Sequence, residues 1–185
     1  DIQAKSSQGD TFMHSVANHL YARENLIPLA IEAGANPNAQ NEHGQTPLMI
    51  AIIRYNRGVV EKIFEYSDLR LTDNEGNTIW HYVIQTQDVN FIEFIFTESM
   101  GFVEKNPRVE IHEMGIDEWR IFLNQKNNQG STPLQVAQSF ENMEIRQLVE
   151  ELITFANQVD ITLEVESESE LETENQDLLK EVAIQ

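Results

Sequence analysis

Gly44-Gln45-Thr46-Pro47-Leu48-Met49 decides how this chain is read. The glycine ends a polar turn and supplies a backbone conformation that residues with a Cβ adopt reluctantly. Thr46 stands where a hydroxyl caps the free N–H groups of a starting helix. Pro47 takes the first helical position, where a missing N–H costs nothing. Leu48, Ile50, Ala51 and Ile52 then supply the small and apolar side chains of a short helix.

The same grammar returns along the chain as Gly9-Asp10-Thr11-Phe12-Met13-His14, Gly76-Asn77-Thr78-Ile79-Trp80-His81 and Gly130-Ser131-Thr132-Pro133-Leu134-Gln135. The glycines are spaced by 35, 32 and 54 residues. The first two spacings sit near one period of about 33 residues, and the third reads as that period plus an insertion. Each copy continues into a second amphipathic segment with apolar residues near the helical period. These are Leu26, Ile27, Leu29, Ala30 and Ile31; Val59, Val60, Ile63 and Phe64; Val89, Phe91, Ile92, Phe94, Ile95 and Phe96; and Ile145, Leu148, Val149, Leu152 and Ile153. One such helix pair cannot bury its own apolar face, whereas stacked neighbours build a continuous core.

These residues carry a family resemblance. Thr46-Pro47-Leu48-Met49 resembles the T-P-L-H helix start of the ankyrin repeat. Gly34-Ala35-Asn36-Pro37-Asn38-Ala39 resembles its closing turn, and Asp73-Asn74-Glu75-Gly76 its hairpin tip. The resemblance implies an all-α solenoid of about four helix–turn–helix repeats joined by hairpin loops. The expected organisation is a repeat domain over 1–159, with repeats at about 6–40, 41–72, 73–126 and 127–159 and an insertion near 100–124. The junction between the third and fourth copies is the least certain, because the insertion precedes it. Residues 160–185 form an acidic tail, expected to be disordered or a short docking helix.

The chain departs from the family pattern at several positions. His is kept at His14 and His81, where the family uses it to bond backbone between neighbouring repeats, while Met49 and Gln135 stand in the other copies. Trp80 replaces the usual leucine and is expected in the core, with Tyr82 beside it.

The function implied is protein recognition through a concave groove lined by hairpin tips and first-helix faces. Carried over by position, the second copy offers Glu42, His43, Gln45, Ile53 and Arg54. The third offers Asn74, Glu75, Asn77, Gln85 and Thr86, and the fourth Asn128, Gln129, Ser131, Ser139 and Phe140. Ile53 and Phe140 are the expected apolar anchors. A cytoplasmic regulator, or an effector acting in a host cytosol, is the expected setting, and a monomer the expected state. The chain does not open on Met, and the recruitment module of a longer multidomain enzyme is the alternative expectation.

Charge and composition exclude several other classes. The net charge is −19, and residues 160–185 hold nine of the 31 acids against one of the 12 basic residues. A surface this acidic disfavours nucleic acid and anionic lipid and favours a partner with a basic surface. Without cysteine there is neither a disulfide framework nor a thiolate metal site. His112-Glu113 lacks the second histidine that a metalloprotease helix places four residues after the first, since Ile116 stands there. Glycines occur singly, so none forms a phosphate cradle. No catalytic residues and no cofactor are expected.

Overall fold

The computed structural model describes residues 2–19, 25–105, 121 and 123–154. Among these residues every regular element is helical. The helices are α1 (Phe12–Asn18), α2 (Leu26–Glu32), α3 (Pro47–Ile53), α4 (Arg57–Ile63, followed by a 3-10 turn over Phe64–Tyr66), α5 (Ile79–Gln85), α6 (Val89–Lys105) and α7 (Pro133–Ser139). Residues 121, 123 and 124 are also helical, and a further helix, α8, spans 143–154.

The four glycine-to-threonine signals all start helices. Thr11, Thr46, Thr78 and Thr132 are the N-caps of α1, α3, α5 and α7, each in extended conformation. The Thr46 hydroxyl accepts the Met49 N–H at 3.3 Å, and that of Thr132 accepts the Gln135 N–H at 3.2 Å. Such caps supply acceptors for N–H groups that the first helical turn leaves unpaired. Helix α2 ends in a Schellman arrangement: Ala35 N–H reaches the Ala30 carbonyl at 2.8 Å, and Gly34 takes a φ of +89°.

First helices stack in a row, α1 on α3, α3 on α5 and α5 on α7, while α2 packs against α4 behind them. Ala17 and Ala51 are fully buried in this row and let the helices approach closely. Leu48, Ile52, Ile63, Ile84, Ile92 and Ile95 fill the space between the two rows. Trp80 is 1% exposed and meets the Phe96 ring edge-on at 6.5 Å, so it is the core residue its position predicts.

At the start of the insertion expected near 100–124, α6 runs on to Lys105, as apolar residues continue at helical spacing from Val89. Across the insertion α5 packs against α7. Residues 106–120 and Phe122, and with them Trp119, lie outside the described residues, as do His112-Glu113 and the tail.

Candidate interaction surface

Three hairpins precede α3, α5 and α7, and each is closed by one side chain. Asn41 Oδ1 accepts the N–H groups of His43 and Gln45, both at 3.0 Å. Asp73 Oδ1 accepts those of Glu75 and Asn77 at 2.9 and 2.7 Å, and Asn127 Oδ1 those of Gln129 and Ser131 at 3.1 and 3.0 Å. Short polar side chains that satisfy their own turn in this way fix its shape locally.

The tips are also bonded to one another across repeats. Glu42 N–H donates to the Gln8 carbonyl at 3.0 Å, Asn74 N–H to His43 at 3.0 Å, and Asn128 N–H to Glu75 at 2.8 Å. Side-chain amides run parallel: Asn74 Nδ2 donates to the Glu42 carbonyl at 2.7 Å and Asn128 Nδ2 to the Asn74 carbonyl at 3.0 Å. Gly44 (φ +74°) is needed for its conformation and also for clearance, since a Cβ there would lie 2.6 Å from the Asn74 nitrogen. The outcome is a continuous, internally bonded rim.

The two histidines tie successive repeats together. Nδ1 of His14 accepts the Thr11 N–H at 3.1 Å, which leaves the proton on Nε2, and Nε2 donates to the Gln45 carbonyl at 2.9 Å. His81 repeats this with Thr78 at 3.1 Å and Ser131 at 2.9 Å. Burial holds both rings below the usual imidazole pKa, with the carbonyl bond acting in the opposite sense. Both ring nitrogens are engaged, so neither ring is free to shuttle protons.

The copies without histidine keep half of this arrangement. Gln135 Oε1 accepts the Thr132 N–H at 2.9 Å, and Met49 sulfur receives the Thr46 N–H at 3.4 Å. Methionine cannot donate onward. At that junction a different link stands instead: Gln45 Nε2 donates to the Tyr82 hydroxyl at 3.0 Å, and the hydroxyl donates to the Asp73 carboxylate. Burial and the neighbouring carboxylate raise the Tyr82 pKa and keep it protonated.

An open cleft of about 190 Å³ lies between the first two repeats. His43, Gln45 and Arg54 line it, together with Gln8, Asp10 and Asn18 of the first copy, which the groove read over the second to fourth copies leaves out. Arg54 Nε donates to Asn18 Oδ1 at 2.7 Å, and Asn41 Nδ2 to Asp10 Oδ1 at 3.0 Å. Both pairs join residues more than 30 positions apart, so only the stacked fold reveals them.

The other groove positions are scattered in character. Glu42, His43, Asn74, Glu75, Gln85, Asn128, Gln129 and Ser139 are exposed, and Ile53 is 37% exposed. Asn77 is a correction. It is 5% exposed, its amide donates to Asp73 Oδ2 at 3.0 Å, and its oxygen accepts Asn127 Nδ2 at 2.9 Å. It therefore joins the hairpin before α5 to the one before α7 and has no surface to offer. Phe140, expected as an exposed anchor, is half-buried against the core. Thr86 gives its carbonyl to the Tyr55 hydroxyl, and the Ser139 hydroxyl donates to Val136 at 2.7 Å.

Among the described residues no group of three metal-binding side chains converges, and no helix is long and apolar enough to cross a membrane. The surface offers hydrogen bonds, exposed charge and a few apolar side chains on a rigid frame.

Comparison with known proteins gives the same architecture. A family model described as ankyrin repeats, in three copies, matches residues 5–108. An ankyrin repeat protein of Acanthamoeba polyphaga mimivirus is 27% identical over 88 residues, 45% of this chain and 15% of its own length. Human Rabankyrin-5 is 39% identical over 57 residues, 30% of this chain and 5% of its own length, and the Mus musculus protein matches equally. The chain thus spans only a small part of these relatives. The fourth copy lies beyond the matched span, and the structure supplies it through Gly130 (φ +79°), the Thr132 cap and α7 on α5. The chain belongs to the ankyrin-repeat family.

Proposed function

We infer that this chain is a non-enzymatic recognition module that holds a partner protein on its concave face. Ankyrin repeats are in general protein–protein interaction modules. The observation that carries the reading here is the bonded rim of hairpin tips. The ladder through Glu42, His43, Asn74, Glu75 and Asn128 fixes the backbone, while Glu42, His43, Glu75 and Gln129 point charge and hydrogen-bonding groups outward. A surface ordered before binding loses little entropy when a partner docks.

The partner has a basic surface, because the chain carries −19 and exposes Glu42 and Glu75 on the rim. The repeat domain extends over 1–159 with the acidic tail beyond it, acts as a monomer, and works in the cytoplasm or a host cytosol as a regulator or effector. A second reading, the recruitment module of a longer multidomain protein, draws on the small share of its relatives that the chain spans.

Affinity capture from lysate with the whole chain tests the proposal, beside Ile53→Asp, Glu75→Lys and a deletion of 164–185. A protein held by the wild type and the tail deletion but released by the two groove variants supports it. One released only by the tail deletion moves recognition off the groove.

A further inference from the structure

Arg54 stands apart from the two arginines that form ion pairs among the described residues. Arg57 pairs with Glu61 at 3.3 Å and Arg70 with Asp68 at 2.8 Å, both away from the cleft. Arg54 lines the cleft and meets no carboxylate among the described residues. Its one bond there runs from Nε to the neutral Asn18 amide oxygen, at 2.7 Å. That bond orients the guanidinium without neutralising it. Among the described residues the two terminal nitrogens meet no acceptor, and a planar pair of donors is the geometry that grips a carboxylate through two parallel bonds.

The same cleft is also lined by an acid. Asp10 spends Oδ1 on Asn41 at 3.0 Å, and its other oxygen takes no hydrogen bond among the described residues. His43 stands exposed at the same mouth. A cleft lined by both a cation and an anion discriminates charge order along a chain laid across it.

We propose that this cleft anchors a partner segment bearing one carboxylate side chain beside a basic one, the carboxylate seated on the Arg54 guanidinium and the basic group on Asp10. This rests on the concave face being the recognition surface. The overall negative field draws in a basic partner, and Arg54 then selects the one that places an acid at this point. A uniformly basic peptide leaves the guanidinium facing like charge, and a uniformly acidic one is repelled by the body.

The test is selection from a random-peptide display library on the immobilised full chain. Arg54→Gln, Arg54→Glu and Ile53→Asp run in parallel, each checked for unchanged thermal unfolding. The wild type is expected to enrich peptides with an acidic residue next to Lys or Arg. The enriched peptide should bind Arg54→Gln about tenfold more weakly, and replacing its acid by the amide should remove that difference. Arg54→Glu should enrich peptides in which the acid has become basic. Peptides that bind Arg54→Gln as tightly as the wild type overturn the anchor. If those same peptides are lost on Ile53→Asp, the groove reading survives without it. No enrichment over an uncoated surface overturns both.

Discussion

His14 Nε2 donates to the Gln45 carbonyl 2.9 Å away, joining the first helix of one repeat to the hairpin of the next. The bond requires a neutral ring, because Nδ1 is already accepting the Thr11 N–H. Protonation would set two donors face to face. His81 is in the same position toward Thr78 and Ser131. Both rings are held below the ordinary imidazole value of 6.5 by burial. Between the folded pKa and 6.5 the unfolded chain therefore binds protons that the folded chain refuses. Stability from this source is complete above 6.5 and is lost as pH falls through that value toward the folded pKa. Urea unfolding of the wild type should show a midpoint that drops over this range. A His14→Gln/His81→Gln pair, which copies Gln135 and its bond to Thr132, should give a shallower pH dependence. Equal slopes would show that the rings carry none of it.

How much of this was legible in the sequence follows from the range of each interaction. The caps at Thr46 and Thr132 and the turns ending in Gly44, Gly76 and Gly130 are local, so residue types a few positions apart announce them. The histidine links follow from the family resemblance. Asn77 is misplaced by its position in the repeat because its burial arises from Asn127, 50 residues on, across an insertion that hides the pairing. Gln8, Asp10 and Asn18 hold in the first copy the positions of His43, Gln45 and Ile53 in the second, so the repeat spacing of 35 marks them, and only a groove read from the later copies alone leaves them out. The insertion near 100–124 is inferred only from the glycine spacing of 54, which says nothing of local structure, and α6 runs on to Lys105 at its start.

Met49 marks the junction that lacks a histidine link. The Asn77 carbonyl accepts the Asp73 N–H at 3.0 Å, as the Gln45 carbonyl accepts Asn41 at 3.1 Å while also receiving His14. Met49→His should take the Thr46 N–H on Nδ1 and donate Nε2 to Asn77, raising stability by about 1 kcal/mol. Thermal unfolding at pH 8, where the new ring is neutral, reads the gain. A loss would mean that the Tyr82–Asp73 link holds the two repeats at a spacing the histidine does not fit.

Gly44 and Gly130 share a conformation but not a neighbourhood. Their φ values are +74° and +79°, so alanine is strained at both, by roughly 1–2 kcal/mol. At Gly44 the added Cβ would also lie 2.6 Å from the Asn74 backbone, whereas at Gly130 no described atom lies within 4 Å. Gly44→Ala should therefore destabilise clearly more than Gly130→Ala in chemical denaturation. Equal losses would mean that the hairpins yield without cost, and the rim would not be the rigid frame described above.

Tyr55 and Gln87 follow the ends of α3 and α5 with the same φ of +54°, in the left-handed region that favours glycine. They differ in what the side chain returns. Tyr55 packs on the Phe91 ring at 5.5 Å and donates its hydroxyl to Thr86. Gln87 is exposed, and only its backbone N–H, donating to Ile84 at 3.1 Å, holds it in place. Gln87→Gly should relieve the strain without removing a contact. Set against the greater freedom glycine gives the unfolded chain, the net gain should be about 0.5 kcal/mol. Tyr55→Gly relieves the same strain but strips a ring contact and a hydrogen bond, and should destabilise by about 1–2 kcal/mol. Opposite signs in the two unfolding midpoints are the expected result. A gain from both would show that the Tyr55 ring contributes less than its backbone costs.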